Sequence, residues 1–409
     1  MNVLAGSVAT LLLSSATVAP DEIPFRIAED AIIIDAVVNG REVSLMYDTG
    51  YTGYVVLNDK VNVGEPEGTV TVRDFARSFQ ADVVPLKSLK IGNHSFDTEG
   101  ESVMLSPGVD YSFAYNTHVD GILGYGPMAD EVMEINFEEQ KLIFYPDDYE
   151  VTRFTPDNET TFLVPMLPKG MNSVQLQTKA PTGRSLYLGL DTGNAFYLTT
   201  HKDVLERVGL WEKGQEPAYM GASSIASGVV ERFDLFVENA VIYGVTVPQS
   251  VWAIIDLPSS DAGHDGTVGF GFLKHFNTTI DPFTRRVWME NHTGRYSDDM
   301  YGDIGLTAVL NPEEERFVIV NVMPKSPAEE AGIEVGDELL SVDRRELLRV
   351  GFRELMHMLE GEAGSTVHIA TSRNGQLLRY DIERKYLING AEKLNEASSD
   401  QASAESDGQ

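Results

Sequence analysis

The chain contains one short pattern twice, LMYDTG at residues 45–50 and LGLDTG at residues 188–193. In each copy an apolar run typical of a β-strand leads into an aspartate, and a Thr-Gly pair follows it. Burying a single ionised carboxylate is costly, whereas two facing carboxyl groups can share one proton, because like charges a few ångströms apart do not both ionise. The repeat therefore predicts that the two strand ends meet and that Asp48 and Asp191 form a carboxyl pair.

The residue types in the pattern suit acid–base chemistry on a peptide bond. One ionised aspartate can act as general base on a water molecule while its protonated partner hydrogen-bonds the substrate carbonyl. Thr49 and Thr192 supply hydroxyl groups that can bond to the opposite backbone, and Gly50 and Gly193 allow a sharp turn beside the acid. Such a reaction needs no metal and no cofactor, and we expect none. A single Asp-Thr-Gly is typical of a surface turn, but two matching copies favour a paired site.

The composition is that of a globular chain with a large core. It has 409 residues, no cysteine, and 63 acidic against 31 basic residues, for a formal net charge of -32. This charge opposes binding to nucleic acid, and the lack of cysteine excludes disulfides, zinc–thiolate sites and cysteine nucleophiles. The sequence also lacks an HExxH motif, a phosphate-binding loop and a Gly-x-Ser-x-Gly elbow, so metalloprotease, nucleotide and serine-hydrolase interpretations have no support here.

The N-terminus resembles a secretory signal. Residues 1–19 combine an apolar segment at 8–13 with small residues at 16–19, which predicts a secreted or periplasmic protein. No lysine or arginine precedes the apolar segment, so a frayed or misassigned N-terminus is the alternative. Beyond residue 19 no apolar run approaches the length of a membrane span, and we expect none.

The second half of the chain repeats the plan of the first. Asn39-Gly40 predicts a tight hairpin before the first aspartate, and the related segments DGILG and DGTVG lie at 120–124 and 265–269 with nearly the same spacing from each Asp-Thr-Gly. Their paired glycines suit a strand that passes close to another backbone, and their leading aspartates, Asp120 and Asp265, are expected to anchor turns. We therefore expect two homologous lobes in one monomer; the alternative is that the lobes of one chain do not close and the active unit is a dimer.

Taken together, these segments resemble the retropepsin-like aspartic proteases found in bacterial proteins, over residues of about 25–292. The resemblance implies a mainly β fold with two lobes, at 22–150 and 151–296, and a cleft between them. It implies that Asp48 and Asp191 are the catalytic acids of an aspartic-type endopeptidase acting on polypeptides. It also implies flap hairpins over the cleft, within 70–84 and 219–230.

Two positions depart from that family's pattern. The family usually has alanine or serine directly after the glycine, whereas this chain has Tyr51 and Asn194. The departure leaves open an alternative function, a non-catalytic peptide-binding or scaffold protein with a degenerate protease core.

A different pattern begins near residue 300. Its segments, in order, are IGL at 304–306, FVIVNV at 317–322, SPAEEAGI at 326–333 and VGDELLSV at 335–342. They closely resemble an α+β PDZ domain of the bacterial periplasmic-protease type, over 297–386. The resemblance implies that the backbone amides around Ile304, Gly305 and Leu306 capture a peptide carboxylate and that the peptide adds as a strand beside 306–309, so the expected partners of this groove are peptide C-termini or internal strands. The helix flanking this groove is expected at 352–359.

The last stretch, residues 387–409, loses all periodicity. It is rich in Ser, Ala, Glu, Asp and Gln. This composition predicts a disordered tail without chemistry of its own.

Overall fold

The computed structural model describes residues 19–73, 78–106, 108, 111–115, 117–146, 149, 155–167, 173–225, 228–259, 264–311, 316–348 and 350–390. The predicted signal peptide, apart from its last residue, lies outside the described residues. So does residue 391 onward of the predicted tail. The rest of the chain is mainly β.

The first half of the chain is built from short strands, one α-helix and one 3-10 helix. Its strands are β1 Asp21–Pro24, β2 Arg26–Ala28, β3 Ala31–Val38, β4 Arg41–Asp48, β5 Val55–Asn58, β6 Gly68–Arg73, β7 Ser78–Pro85, β8 Leu89–Ile91, β9 His94–Phe96, β10 Ser102–Ser106, β11 Gly121–Gly124, β12 Met133–Asn136 and β13 Lys141–Phe144. Helix α1 spans Tyr111–Tyr115, and the 3-10 helix spans Gly126–Met128. As predicted, β3 and β4 form a hairpin through Asn39 and Gly40, both with positive φ, as a two-residue turn of this kind requires.

The second half has longer strands near its edge. Its strands are β14 Thr161–Pro165, β15 Gln175–Lys179, β16 Ser185–Leu190, β17 Leu198–His201, β18 Gly221–Ile225, β19 Gly228–Ile242, β20 Val245–Ile255, β21 Gly266–Val268, β22 Phe276–Asp281 and β23 Arg286–Asn291. Helices α2 and α3 span Lys202–Val208 and Phe270–Leu273. The described parts of both predicted flap segments form antiparallel hairpins, β6–β7 and β18–β19.

The two halves share one strand order. In the first half it reads β6-β7-β10-β5-β11-β4-β3, and in the second β18-β19-β20-β17-β21-β16-β15. The directions agree as well: β11 runs parallel to β4 and antiparallel to β5, and β21 runs parallel to β16 and antiparallel to β17. The repeat seen in the sequence therefore recurs in the sheet topology.

A third sheet joins the halves. Its order is β1-β13-β12-β22-β23-β14, and the antiparallel pairing of β12 with β22 crosses from one half to the other. One continuous cluster of buried apolar side chains runs through both halves, from Ile23 to Met289. The halves thus share a core, and this core supports the loops that follow β4 and β16.

The C-terminal part folds around a core of its own. Its elements are β24 Leu306–Asn311, β25 Arg316–Val322, α4 Pro327–Ala331, β26 Glu338–Val342, β27 Arg345–Glu346, α5 Phe352–Leu359, β28 Thr366–Arg373 and β29 Gln376–Glu383. The Ser326 side chain caps α4 by accepting the N–H of Glu329, and Gly332 ends the helix with a φ of 87°. Helix α5 has the bounds that the apolar spacing predicts.

This C-terminal part contacts both halves. Helix α5 contacts α1, and β25 contacts β18. Residues 387–390 lie against β19, where the backbone of Asn389 hydrogen-bonds the backbone of Phe236 and Asp234 at 2.9 Å each. The start of the predicted disordered tail therefore needs correction: these four residues are placed with the folded part because Leu387 and Asn389 are buried.

No helix in the described ranges is long and apolar enough to cross a bilayer.

Candidate active site

The two predicted acids occupy equivalent places at strand ends. Asp48 is the last residue of β4, and Asp191 directly follows β16. Oδ1 of Asp48 accepts the N–H of Gly50 at 2.8 Å and of Tyr51 at 3.1 Å. Oδ1 of Asp191 accepts the corresponding N–H groups, from residues 193 and 194, at 3.0 Å each. Each turn therefore fixes one oxygen of its carboxyl group.

The two threonines link the turns across the halves. Oγ1 of Thr49 donates to the carbonyl of Leu190 at 2.8 Å and accepts the N–H of Thr192 at 2.9 Å. Oγ1 of Thr192 donates to the carbonyl of Tyr47 at 2.7 Å and accepts the N–H of Thr49 at 3.1 Å. Both side chains are buried, with at most 1% exposed. We call these four hydrogen bonds the threonine interlock; it holds the two strand ends together.

Each glycine of the pattern faces the acid of the other half. A Cβ placed on Gly50 would lie 2.5 Å from Cγ of Asp191, and one placed on Gly193 would lie 2.4 Å from Cγ of Asp48. No side chain fits at either position. The two carboxyl groups are close enough to hydrogen-bond each other. The structure therefore brings the six residues of the two Asp-Thr-Gly turns together in one place.

Glycines in β11 and β21 let these strands pack closely against β5 and β17, the strands beside them. A Cβ on Gly121 would lie 1.9 Å from the carbonyl oxygen of Val56, and one on Gly266 would lie 2.1 Å from that of Thr199. Only glycine allows the strands to approach this closely. The leading aspartates were expected to anchor turns, whereas their carboxylates bond to neighbouring strands: Asp120 accepts the N–H of residue 44 in β4 and Asp265 that of residue 187 in β16, at 2.9 Å each.

The electrostatics of the pair are unequal. Burial raises the pKa of both carboxyl groups, and for Asp48 the charge of Asp191 and the hydrogen bond between the two raise it further. The pKa of Asp191 rises less, because hydrogen bonds from Asp48, the Thr267 hydroxyl and two backbone amides stabilise its charged form. The two carboxyl groups therefore titrate as one pair that shares a proton.

The two unusual residues after the glycines have different surroundings. Nδ2 of Asn194 donates to the hydroxyls of Thr199 at 3.0 Å and Thr267 at 2.9 Å, and its Oδ1 accepts the N–H of Phe196. Asn194 thereby orients the threonine that bonds Asp191. The ring of Tyr51 lies against the backbone of residues 53 and 124. Sequence reasoning missed Thr267. The available signal was that Thr267 occupies the position in the second repeat that Ile122 occupies in the first.

The predicted carboxylate-binding loop of the C-terminal part lies directly before β24. Its amides are partly in use, because Oδ1 of Asp303 accepts the N–H groups of Ile304 and Gly305. Leu306 begins β24 and pairs with Val322. Sequence reasoning also missed Asp303. The available signal was an acidic side chain directly before the backbone amides that were predicted to bind a carboxylate.

The part of the chain that the structure describes contains no group of three or more His, Cys, Asp or Glu side chains that could hold a metal ion.

Comparison with known proteins places the C-terminal part. Residues 302–383 match the PDZ domain family, so the chain carries a C-terminal PDZ domain, as predicted. A carboxyl-terminal-processing protease of Picosynechococcus sp. is 34% identical over 92 residues, which is 22% of either chain. A probable CtpA-like serine protease of Staphylococcus haemolyticus is 27% identical over 105 residues, 25% of this chain and 21% of that protein. The chain thus spans about a fifth of the length of these relatives.

A structural neighbour is the aspartic proteinase of Irpex lacteus, which covers 67% of this chain and 98% of its own, at 14% identity and a TM-score of 0.41. A likeness at this level carries no argument about the fold. The retropepsin-like bilobal arrangement therefore stays a prediction.

The relatives contradict the expected enzyme class. The sequence predicted an aspartic-type endopeptidase, whereas the curated relatives are named as carboxyl-terminal-processing proteases or as a probable CtpA-like serine protease, so the comparisons contradict the predicted class. A carboxyl pair fixes where two acids lie, but it does not identify the group that attacks a peptide bond. The missing Gly-x-Ser-x-Gly elbow likewise excludes only one structural context for a serine nucleophile.

Proposed function

We propose that this chain is a peptide-cleaving protease whose PDZ domain binds polypeptide, and that the peptide bond is held and hydrolysed at the Asp48–Asp191 pair. The names of the relatives support peptide cleavage. The threonine interlock carries the second part, because it fixes two strands from different halves so that their terminal carboxyls face each other. The proposal assigns hydrolysis to these carboxyls, whereas a relative is named as a serine protease. The test below distinguishes hydrolysis at the carboxyl pair from hydrolysis by a serine nucleophile.

The unequal pKa values suggest how the pair would divide the work. Asp191, the more readily ionised acid, would take a proton from a water molecule held between the carboxyls. Asp48, in its protonated form, would donate a hydrogen bond to the carbonyl oxygen of the scissile bond and later help to protonate the leaving amine. Thr49, Thr192, Gly50 and Gly193 would keep the geometry of this arrangement. The step uses no metal or cofactor.

The remaining assignments belong to the same proposal. Residues 22–150 and 151–296 would form two retropepsin-like lobes, with the PDZ domain at 297–386. Residues 1–19 would direct the protein to the periplasm or outside the cell, where a monomer would act on polypeptides and not on nucleic acid. The net charge of -32 supports the last point.

The test is a cleavage profile of a diverse peptide mixture, read by mass spectrometry, for the full chain and for Asp48→Asn and Asp191→Asn. We expect each variant to lose at least ~100-fold in rate, since neither acid can take both roles. Asp35→Asn is the matched control: it makes the same change on a side chain that is 78% exposed, and it should leave the rate unchanged.

A serine-reactive fluorophosphonate probe completes the experiment. Cleavage at the parent rate by both aspartate variants, with labelling of a serine by the probe, would overturn the role of the pair and leave a serine protease. The absence of cleavage by the parent chain at any pH, with retained peptide binding, would favour the non-catalytic peptide-binding alternative, which the departures at Tyr51 and Asn194 keep open.

A further inference from the structure

The loop that should receive a peptide C-terminus already holds a carboxyl group of its own. Oδ1 of Asp303 accepts the N–H of Ile304, and it accepts that of Gly305 at 3.2 Å. A backbone amide has a single hydrogen to donate, so an N–H that is bonded to Asp303 is not available to a ligand. Two of the three amides predicted to capture a carboxylate are therefore occupied.

The position of Asp303 is fixed from both sides. Its backbone N–H and carbonyl pair with the backbone of Lys385 at 2.9 Å each, and the preceding Gly302 pairs in the same way with Gly361 at 2.6 and 3.0 Å. A Cβ on Gly302 would lie 2.8 Å from the backbone of Ala363. The segment that carries the Asp303 side chain is thus held by backbone hydrogen bonds to two neighbouring segments, at Gly361 and Lys385.

The charges around Asp303 are mostly acidic. Glu360 follows α5 in the PDZ domain and Asp234 lies on β19 of the second half, and the charges of both act on the Asp303 carboxyl. Glu360 is paired with His357 at 3.4 Å, and Asp234 with Arg232 at 3.1 Å, so both of these basic side chains already have a carboxylate partner. A ligand carboxylate placed at these amides would meet a like charge at short range, which is unfavourable.

The strand beside the loop nevertheless remains open. Among the described residues β24 pairs on one side only, with β25, and α5 packs against β24. An extended peptide can therefore add to the edge of β24 at residues 306–309 by main-chain hydrogen bonds, which do not require a chain terminus.

We propose that the PDZ groove of this chain selects an internal, extended segment of a polypeptide and excludes a free C-terminal carboxylate, because the Asp303 side chain occupies the amides that such a carboxylate needs. The inference rests on the proposed function only in taking polypeptide as the ligand, and it does not depend on cleavage. It predicts that the groove recognises main chain and side chains along a strand and not a chain end.

The experiment compares labelled apolar peptides, each prepared as the free acid and as the C-terminal amide, by fluorescence anisotropy with the full chain; mass spectrometry checks that the peptides stay intact. We expect the parent to bind the two forms within about threefold of each other. Asp303→Gly empties both amides, so this variant should prefer the free acid by about tenfold or more. Asp303→Asn keeps the acceptor oxygen but removes the charge, and its preference should remain below that of the glycine variant.

Asp381→Asn is the control, since it removes an exposed carboxyl of the same domain that pairs with His368; its acid-to-amide ratio should equal that of the parent. A parent that prefers the free acid by tenfold, or that binds neither form, would overturn the proposal, as would a folded glycine variant with an unchanged ratio. If a thermal melt shows that Asp303→Gly is unfolded, the ratios of the parent and of Asp303→Asn decide. Because binding is read without cleavage, a failure of the carboxyl pair in the cleavage assay leaves this result standing.

Discussion

Thr49→Val tests the threonine interlock with a side chain of nearly the same shape. The substitution removes the bond to the carbonyl of Leu190 and leaves the N–H of Thr192 without its acceptor. Each lost bond is worth about 1 kcal/mol, and each buried partner left unsatisfied costs about 1–3 kcal/mol. Since Thr49 is only 1% exposed, we expect the free energy of unfolding to fall by about 2–4 kcal/mol.

Thr178→Val provides a matched control in β15 of the second half. Thr178 is fully buried, and its hydroxyl has no hydrogen-bond partner among the described residues. Replacing an unpaired buried hydroxyl by a methyl group of the same shape is nearly neutral or stabilising. The same chemical change should therefore have opposite consequences at the two positions.

Equilibrium unfolding in urea, followed by tryptophan fluorescence, measures both variants. All three tryptophans, Trp211, Trp252 and Trp288, lie in the second half, so the signal reports on the part that the interlock stabilises and not on the PDZ domain. If Thr49→Val lowers the free energy of unfolding no more than Thr178→Val does, the interlock does not hold the halves together and our reasoning about the site is wrong.

Three further predictions concern Gly50 at the carboxyl pair and Asp303 and Asp337 in the PDZ domain. The new methyl group of Gly50→Ala would meet the Asp191 carboxyl, so this variant should lower the rate of peptide cleavage by about 100-fold. Gly68→Ala is the control and should not lower the rate, because the nearest atom to its new methyl group is 3.8 Å away. A Gly50→Ala variant that cleaves peptides at the parent rate would contradict the facing arrangement. Burial raises the pKa of Asp303 to about 6, so lowering the pH from 7.5 to 5 should neutralise it and tighten binding of free-acid peptides, with no such change in Asp303→Asn. A hydrogen bond from an arginine lowers the pKa of Asp337. The ionised Asp337 carboxylate therefore stabilises the fold above its ordinary pKa, and this stabilisation is lost as the pH falls toward the lowered pKa. Hydrogen exchange of the PDZ amides should show this loss in the parent and not in Asp337→Asn.

Local features of the structure could be predicted well from the sequence. The hairpin at Asn39 and Gly40 and the helix capped by Ser326 depend on residues that are neighbours in the chain, and the PDZ domain was predicted from the resemblance of several ordered segments to that family. Backbone conformation at such positions is set by glycine, asparagine and capping side chains, whatever the rest of the chain does. The enzyme class was the expectation that failed, because it depends on a reacting group and not on a backbone pattern.

Other features required the tertiary structure. The hydroxyls of Thr49 and Thr192 were predicted to bond across to the opposite backbone, but the groups that they bond, such as the carbonyl of Leu190 and the N–H of Thr192 for Thr49, are more than 140 positions away and became known only from the structure. Residues 387–390 read as part of a polar tail, yet β19 offers them an open edge. Asp303 drew no notice in the sequence because its importance comes from the two amides that follow it in one particular loop conformation.

The sequence by itself determined that two equivalent strand ends each carry an aspartate, because strand periodicity and turn chemistry depend on adjacent residues. It also determined that a PDZ domain follows, because the order of several segments resembles that family. Only the tertiary structure decided which groups hold the two carboxyls in place, that burial raises the pKa of both, and that the Asp303 side chain occupies amides of the PDZ loop. Burial and hydrogen bonding set these properties, and both depend on groups that are distant in the chain or on one exact backbone conformation, which come together only when the whole chain has folded.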